Sequence, residues 1–560
     1  MDKFSVEITG LGSVAVGCVQ HQGAREYQED SVGFSPVNGD PMDGFLAVVA
    51  DGMGGMSSGA FVSAWTVRRM LETDIVTDVP VYRQLCEAAQ RISGEIAAGG
   101  TRGGSTMAAV YLDKDGVHIC SVGDSRIYLQ RNGVLSRLTE DGDYMSVLLG
   151  RVITGDMTFQ QAADDPERDS LMQFMGGGVN IQPDVYCIPF RPEKGDRLLI
   201  CSDGVYNAVA EATLLQSLTL TAAAAAEDIL GRVLAKGYTN QDNLTATVLE
   251  FREVYLTPDD TREVDLPAGN LHAISAAYTC KGGRERNEDN VFLGDGAFAV
   301  ADGLGGHSGG AAASKAAVKY ISDHYSEAVD PEGMADLLEG ANTAVRRLGS
   351  GMTTVAAAVL GESGFTFGNV GDSRVYYFRN GRIIAQTRDH SVCQAAVEMG
   401  QITPEQIRGS EDRSQLLKVL GSGERLDLKK LPQQVAAQPG DAFMLCTDGF
   451  WENVHEREME CDLAKSGSPL EWRDRMLKRL LLKTGSGGDN YTVLCGILTD
   501  QPEEAHARTS SGRTPRLPRV LITAAAILLM LGGLIAALIF LSGGVDSTSP
   551  DSEPGISDMM

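Results

Sequence analysis

The sequence predicts an α+β protein built twice over, with a membrane-spanning helix behind the second copy. Three observations carry that expectation. One set of short motifs recurs in the same order in both halves of the 560 residues. Within each half, apolar runs hinged on Asn-Gly alternate with helical stretches. An uncharged segment, Val520 to Leu541, then follows a polar stretch.

The duplication is read from pairs of motifs. "GAREYQEDSVGF" (Gly23–Phe34) matches "GGRERNEDNVFL" (Gly282–Leu293), and "LAVVADGMGG" matches "FAVADGLGG". "SVGDSRIYLQRNG" then matches "NVGDSRVYYFRNG", "CSDG" matches "CTDG", and "DNLT" matches "DNYT". The separation between partners drifts by only a few residues, as loop-length changes produce. The first domain is placed at 1–255, a linker at 256–270 and the second domain at 271–500.

Within each domain, Asn132-Gly133 and Asn380-Gly381 sit between apolar-rich runs, the strongest short hairpin signal. "DRLLICSDG" and "DNLTATVLEF", with "DAFMLCTDG" and "DNYTVLCGIL", read as further strands. "GAAASKAAVKYISDHY" and "MADLLEGANTAVRRL" carry apolar residues at helical spacing. Hairpins with segregated helices predict antiparallel sheets, not a doubly wound parallel one.

Composition bounds the partners. The chain is 43% hydrophobic and 22% charged, with a formal net charge of −27 and a sequence pI near 4.7. That excludes the basic face nucleic-acid binding needs, so no nucleic acid is expected as a partner. The ten cysteines form no C-x-x-C pair and no zinc-spaced cluster. Cys120, Cys201 and Cys446 lie inside strand-like runs and read as small buried hydrophobes. "MDKFSVEITG" lacks the apolar core of a secretory signal, so a reducing cytosol is expected around the two domains.

Residues 501–519 form a polar, Pro-containing linker with Arg508, Arg513, Arg516 and Arg519. At about 1.5 Å per residue, Val520–Leu541 matches a hydrocarbon core of about 30 Å. The tail at 542–560 carries only acids. The positive-inside rule therefore predicts a single-pass protein of the cell membrane, with both domains cytoplasmic and an acidic tail outside.

The acids are informative as a set. Each half places them at strand ends: Glu29-Asp30, Asp51, Asp203 and Asp242 in the first, Glu288-Asp289, Asp302, Asp448 and Asp489 in the second. Asp124 and Asp372 lie in the two "GDSR" motifs. A lone Asp-Gly is ordinarily a turn. If the strands share one sandwich, however, their acid-bearing ends converge, and like charges that close require a counter-ion. Hard divalent cations fit an all-carboxylate, histidine-free set. Gly52 and Gly303, directly after the strand-end aspartate, would let the backbone approach such an ion.

The order R-x-x-x-E-D, D-G-x-G-G, G-D-S-R, S/T-D-G, D-N-x-T resembles the metal-dependent Ser/Thr protein phosphatases of the PPM (2C-type) family. "VEMGQITPEQIRGSEDRSQLLKVLGSG" looks like the flap of its bacterial branch, and "GRVITGDMTFQQAADDPERDSLMQFMGGG" like a looser version. The resemblance spans roughly 13–250 and 272–498. It implies an αββα four-layer sandwich, two antiparallel sheets flanked by helices, in each copy. It also implies two Mn²⁺ or Mg²⁺ ions per domain and a weaker third.

Carried onto matching positions, Asp51 and Asp302 would bridge two ions. Asp203 with Asp242, and Asp448 with Asp489, would hold the first. The Gly52 and Gly303 carbonyls, with Glu29-Asp30 and Glu288-Asp289, would serve the second. Asp124 and Asp372 would bind the third. Arg25 and Arg284 match the arginine that holds substrate phosphate, a task suited to a guanidinium fork. The resemblance implies phosphorylated Ser/Thr proteins as substrates and a cognate Ser/Thr kinase as a functional partner.

Other chemistries fit less well. A dinucleotide fingerprint fails on spacing, because its third glycine falls at Ser57 or Ser308. No cysteine-phosphatase loop is present, and "DGDYM" lacks the D-x-D-x-T of an aspartyl nucleophile. Where many eukaryotic relatives carry a histidine after D-G, this chain has Met53 and Leu304, so no general acid is assigned. His307 and His390 become Met56 and Gly142 in the first half and read as loop hydrogen-bonding residues. Three functions are consistent with this reading: two catalytic domains, a catalytic second domain with a phosphoprotein-binding or regulatory first one, or a non-enzymatic metal-stiffened scaffold.

Overall fold

A computed structural model describes residues 2–35, 43–54, 58–76, 78–100, 103–256, 271–305, 309–423, 426–428 and 432–501. The Val520–Leu541 segment, the acidic tail and His307 lie outside them. Among the described residues no helix is long and apolar enough to cross a membrane.

Each half is a pair of antiparallel sheets faced by helices. In the first, strands Asp2–Ile8, Gly12–His21, Leu244–Val254, Arg197–Cys201, Arg126–Arg131 and Val134–Arg137 form a six-stranded sheet in that spatial order. Asp184–Val185, Gly116–Val122, Met107–Asp113, Gly44–Ala50 and Ser31–Ser35 form a five-stranded one. The second half repeats the plan with two five-stranded sheets. One contains His272–Cys280, Tyr491–Thr499, Ala442–Cys446, Arg374–Arg379 and Arg382–Gln386; the other contains Asn290–Leu293, Ala297–Ala301, Val355–Gly361, Gly364–Val370 and Gln433–Val435.

The layering follows from which faces are apolar. Val16, Val49, Val110, Ile119, Leu198 and Phe251 fill the space between the first pair of sheets. Helices Ser58–Leu71 and Val81–Ala98 cover one outer face, through Val62, Met70, Leu85 and Ile92. Helix Ala222–Leu234 covers the other. The second half has the same order, with helices Gly309–His324 and Pro331–Arg346 on one side and Glu456–Lys465 and Pro469–Thr484 on the other. Both Asn-Gly pairs turn hairpins as expected, with left-handed φ of 51° and 77° at Asn132-Gly133 and 51° and 73° at Asn380-Gly381.

Residues 1–502 group as one compact unit, because the halves pack on each other. Cys461 and Ala464 of the second half join the core of the first. Leu149 and Ile153, on helix Tyr144–Ile153 of the first, join the core around Trp472 and Leu477 of the second. A half-buried ion cluster borders this seam. Glu140 accepts from Lys478 at 2.5 Å and Arg475 at 2.8 Å, and Asp184 accepts from Lys465 at 2.7 Å.

Candidate active site

The acids converge as their strand-end positions predict. Asp51 directly follows strand Gly44–Ala50, and Asp242 shortly precedes strand Leu244–Val254. Asp203 and Asp448 lie two residues past their strands and open one-turn helices, Asp203–Tyr206 and Asp448–Trp451. In the second half one cleft of ≈ 790 Å³ is lined by Arg284, Glu288, Asp302, Gly303, Asp372, Asp448 and Asp489, together with Ser414 and Leu416.

Asp30 and Asp289 are almost fully buried. Asp30 accepts from Ser202 at 2.7 Å and Thr245 at 2.8 Å; Asp289 accepts from Thr447 at 2.9 Å and Thr492 at 2.7 Å. In each case one oxygen takes both bonds and no donor reaches the other, Oδ1. Glu29 Oε1 and Asp203 Oδ1 are likewise buried without a donor. Such oxygens are costly unless a proton or a cation serves them. Asp51 acts electrostatically on both Asp30 and Asp203, and Asp302 on Asp289, so the acids of each half are near neighbours.

Burial first, then mutual repulsion, pushes these carboxyls up. Asp203 rises to about 6 and Asp372 to about 7, while Asp51, Asp302 and Asp448 stand well above the ordinary range. Asp30 and Asp289 rise to about 6, and so does Asp124. Among the described residues, no group of three or more His, Cys, Asp and Glu side chains already has a closed metal-ligating arrangement. The carboxyls meet in close pairs instead, with buried oxygens lacking donors, and that all-oxygen set fits a hard divalent cation.

The two halves build the surroundings alike. Thr106 and Thr354 accept from the Asp51 and Asp302 amides at 2.9 and 3.1 Å. Asn243 and Asn490 hold the Glu29 and Glu288 amides at 2.6 and 2.8 Å. Sequence reading missed these threonines and asparagines, although "DNLT" and "DNYT" contain the asparagines. Arg25 and Arg284, expected at substrate phosphate, donate to Asp242 at 2.5 Å and Asp489 at 2.6 Å. Both arginines are well exposed at the mouth.

Two expectations acquire a different physical basis. Gly52 and Gly303 were expected to open the backbone toward an ion. The structure shows a closer constraint: a Cβ on Gly52 would meet Gly59 O at 2.3 Å, and one on Gly303 would meet Gly310 O at 2.4 Å. An aromatic side chain holds the backbone of Asp124 and of Asp372. Tyr206 donates its hydroxyl to Asp124 O at 3.0 Å, and Trp451 donates Nε1 to Asp372 O at 2.9 Å. His390 is the loop hydrogen-bonding residue expected, its Nδ1 lying 3.2 Å from the Gly371 amide.

The protein phosphatase 2C profile matches residues 19–237 and 285–481. The Listeria innocua serine/threonine phosphatase stp is 29% identical over 238 residues, covering 40% of this chain and 91% of its own. The Mycobacterium tuberculosis serine/threonine protein phosphatase PstP is 29% identical over 231 residues, 39% of this chain and 43% of its own. A crystal structure of the M. tuberculosis serine/threonine phosphatase PstP/Ppp is 28% identical and covers 41% of this chain and 99% of its own, at a TM-score of 0.38. The two matched segments cover most of the chain and include Asp30, Asp51 and Asp203 in the first half and Asp289, Asp302 and Asp448 in the second, so the chain belongs to the protein phosphatase 2C family and is a phosphoprotein phosphatase.

Proposed function

We propose that this chain is a membrane-tethered, Mn²⁺- or Mg²⁺-dependent phosphatase acting on phosphoserine and phosphothreonine in cytoplasmic proteins, with the second half as its principal catalytic domain. One observation carries the reading: the second-half cleft gathers Asp302, Asp372, Asp448, Asp489 and Glu288 with Arg284 at its edge. Asp302, Asp448 and Asp489 with Asp289 would hold two ions. Bound there, the ions would supply a water of lowered pKa and offset charge on the phosphoryl oxygens.

The remaining work falls to the chain itself. Asp289 is fixed by Thr447 and Thr492, so its free oxygen keeps one direction. Arg284 presents a guanidinium at the mouth, already charge-paired with Asp489, and can exchange part of that contact for a phosphate oxygen. Leu304 lines the cleft without a proton to give, so protonation of the leaving oxygen would fall to water or another group. The uncharged run Val520–Leu541, behind four arginines, supports the tether and the cytoplasmic orientation.

The test uses the protein with a phosphothreonine peptide, with and without Mn²⁺. Turnover should require the ion and vanish with EDTA. Asp302→Asn should lower kcat by about 10² or more, the scale of a lost electrostatic contribution to the transition state. EDTA-insensitive turnover would sink the metal reading.

A second reading concerns the first half. It keeps every proposed ligand, Glu29, Asp30, Asp51, Asp124, Asp203 and Asp242, yet its flap helix Tyr144–Ile153 is packed into the other half. That supports a regulatory or reduced-activity role. Asp51→Asn should then cost much less than Asp302→Asn; equal losses would exclude this division of labour.

A further inference from the structure

The two flaps are anchored differently, and the difference lies in a few residues. The capping boxes Thr158/Gln161 and Thr403/Gln406 set the register between them, and the bridges Ser105–Met175 and Thr353–Leu420 close both at their ends. Arg413 of the second flap therefore corresponds to Arg168 of the first, and Arg408 to Ala163. On the short helix after the S/T-D-G motif, Glu452 corresponds to Asn207 and Trp451 to Tyr206.

In the second half, Arg413 Nε donates to Glu452 Oε1 at 2.7 Å. Arg408 Nε donates to the Trp451 carbonyl at 3.0 Å, and its Nη2 lies 2.8 Å from Glu456 Oε2. Glu456 also lies 3.4 Å from Arg374, whose guanidinium stacks 3.4 Å over the Trp451 ring. The flap is thus tied at two points to the helix that begins with Asp448, and the segment after Arg413 supplies the cleft residues Ser414 and Leu416. In the first half neither tie exists in this form. Ala163 has no guanidinium, Asn207 has no charge, and Arg168 turns to the Ala163 carbonyl and Asp169.

We propose that Glu452 and Arg408 are positioning residues that hold the second flap against its cleft and so set how a phosphoprotein, rather than a small phosphate ester, gains access. The inference rests on the phosphatase reading of that cleft. Ser414 and Leu416 line the same cleft as Arg284 and the carboxylates, so the polypeptide flanking a phosphorylated residue would have to be accommodated against them. A small ester carries no flanking polypeptide to place there.

The experiment substitutes the first half's own residues, Glu452→Asn and Arg408→Ala, and adds Arg413→Ala. Amide exchange across 392–417 is measured beside steady-state kinetics at saturating Mn²⁺. Each latch variant should speed exchange in the flap about threefold to fivefold, as expected for a partly exposed ion pair, and leave helix Tyr144–Ile153 unchanged. KM for a phosphothreonine protein should shift by a similar factor, with kcat/KM for p-nitrophenyl phosphate held within about twofold. Glu452→Asn and Arg413→Ala should be non-additive, because they break one contact. Unchanged flap exchange would overturn the latch even if the chain showed no turnover at all. Equal effects on both substrates would overturn the access role, since the residues would then be acting through the carboxylate centre.

Discussion

Gly303 is confined more tightly than its place in a D-G turn implies. A side chain there would strike the backbone of Gly310, at the start of helix Gly309–His324, and the carbonyl of Glu288 at 2.8 Å. Neither neighbour can yield without moving the helix or the strand that carries the acids. Gly303→Ala should therefore cost about 1–3 kcal/mol, the usual range for overpacking, read from chemical denaturation. His390, which is not itself one of the strand-end acids, offers a pH test. Burial, then Lys418, lowers it to about 4, against an unfolded value near 6.5. The folded state thus binds fewer protons between those values, so this contribution to stability is present above pH 6.5 and is lost as pH falls through about 4. His390→Gln should flatten that part of the stability profile. An unchanged slope would show that the Gly371 loop does not hold the neutral ring.

At the scale of elements, helix Tyr144–Ile153 behaves as part of the wrong domain. Its local signals are ordinary: an Asp143 N-cap accepts from Ser146 N at 2.9 Å, and the next helix begins with a capping box at Thr158. Nothing in those signals says which core it fills. Leu149 is buried in the second half's core with Trp472 and Leu477, and Phe159 packs beside it. Leu149→Ala should cost about 2–4 kcal/mol and lower the unfolding midpoint of the second half, although the residue belongs to the first. Loss confined to the first half's transition would refute that assignment.

For the whole molecule, the seam between the halves is an ion cluster laid over shared apolar contacts. Burial alone would raise Glu140, yet Lys478 and Arg475 hold it well below the usual carboxylate range. Lys465 has no exposed side-chain surface and also lies 5.2 Å from the Tyr186 ring. Removing Lys478 would leave half-buried Glu140 with Arg475 as its remaining cationic partner, and a like charge at 478 would add repulsion. Lys478→Glu should lower stability by about 1–3 kcal/mol, read from chemical denaturation, whereas exchanging Glu140→Lys with Lys478→Glu should recover part of the loss. Arg68 with Glu72, on the exposed face of a helix, offers the control: Glu72→Gln should leave the unfolding midpoint essentially unchanged.

The duplication, the α+β class, the Asn-Gly hairpins and the acids at strand ends were all legible in the residues, because each depends on local chemistry or on spacing along the chain. The convergence of Asp302, Asp448 and Asp489 on one cleft was inferable only through the sheet order, and the structure supplies that order. The different anchoring of the two flaps was not legible. Helix Tyr144–Ile153 has the same amphipathic pattern whichever apolar surface it covers, and Glu452 differs from Asn207 by one charge whose partner sits far off in sequence. Local propensity and motif order follow from side chains acting on their neighbours. Which core a helix enters, and which guanidinium a carboxylate meets, is decided by burial across the whole fold.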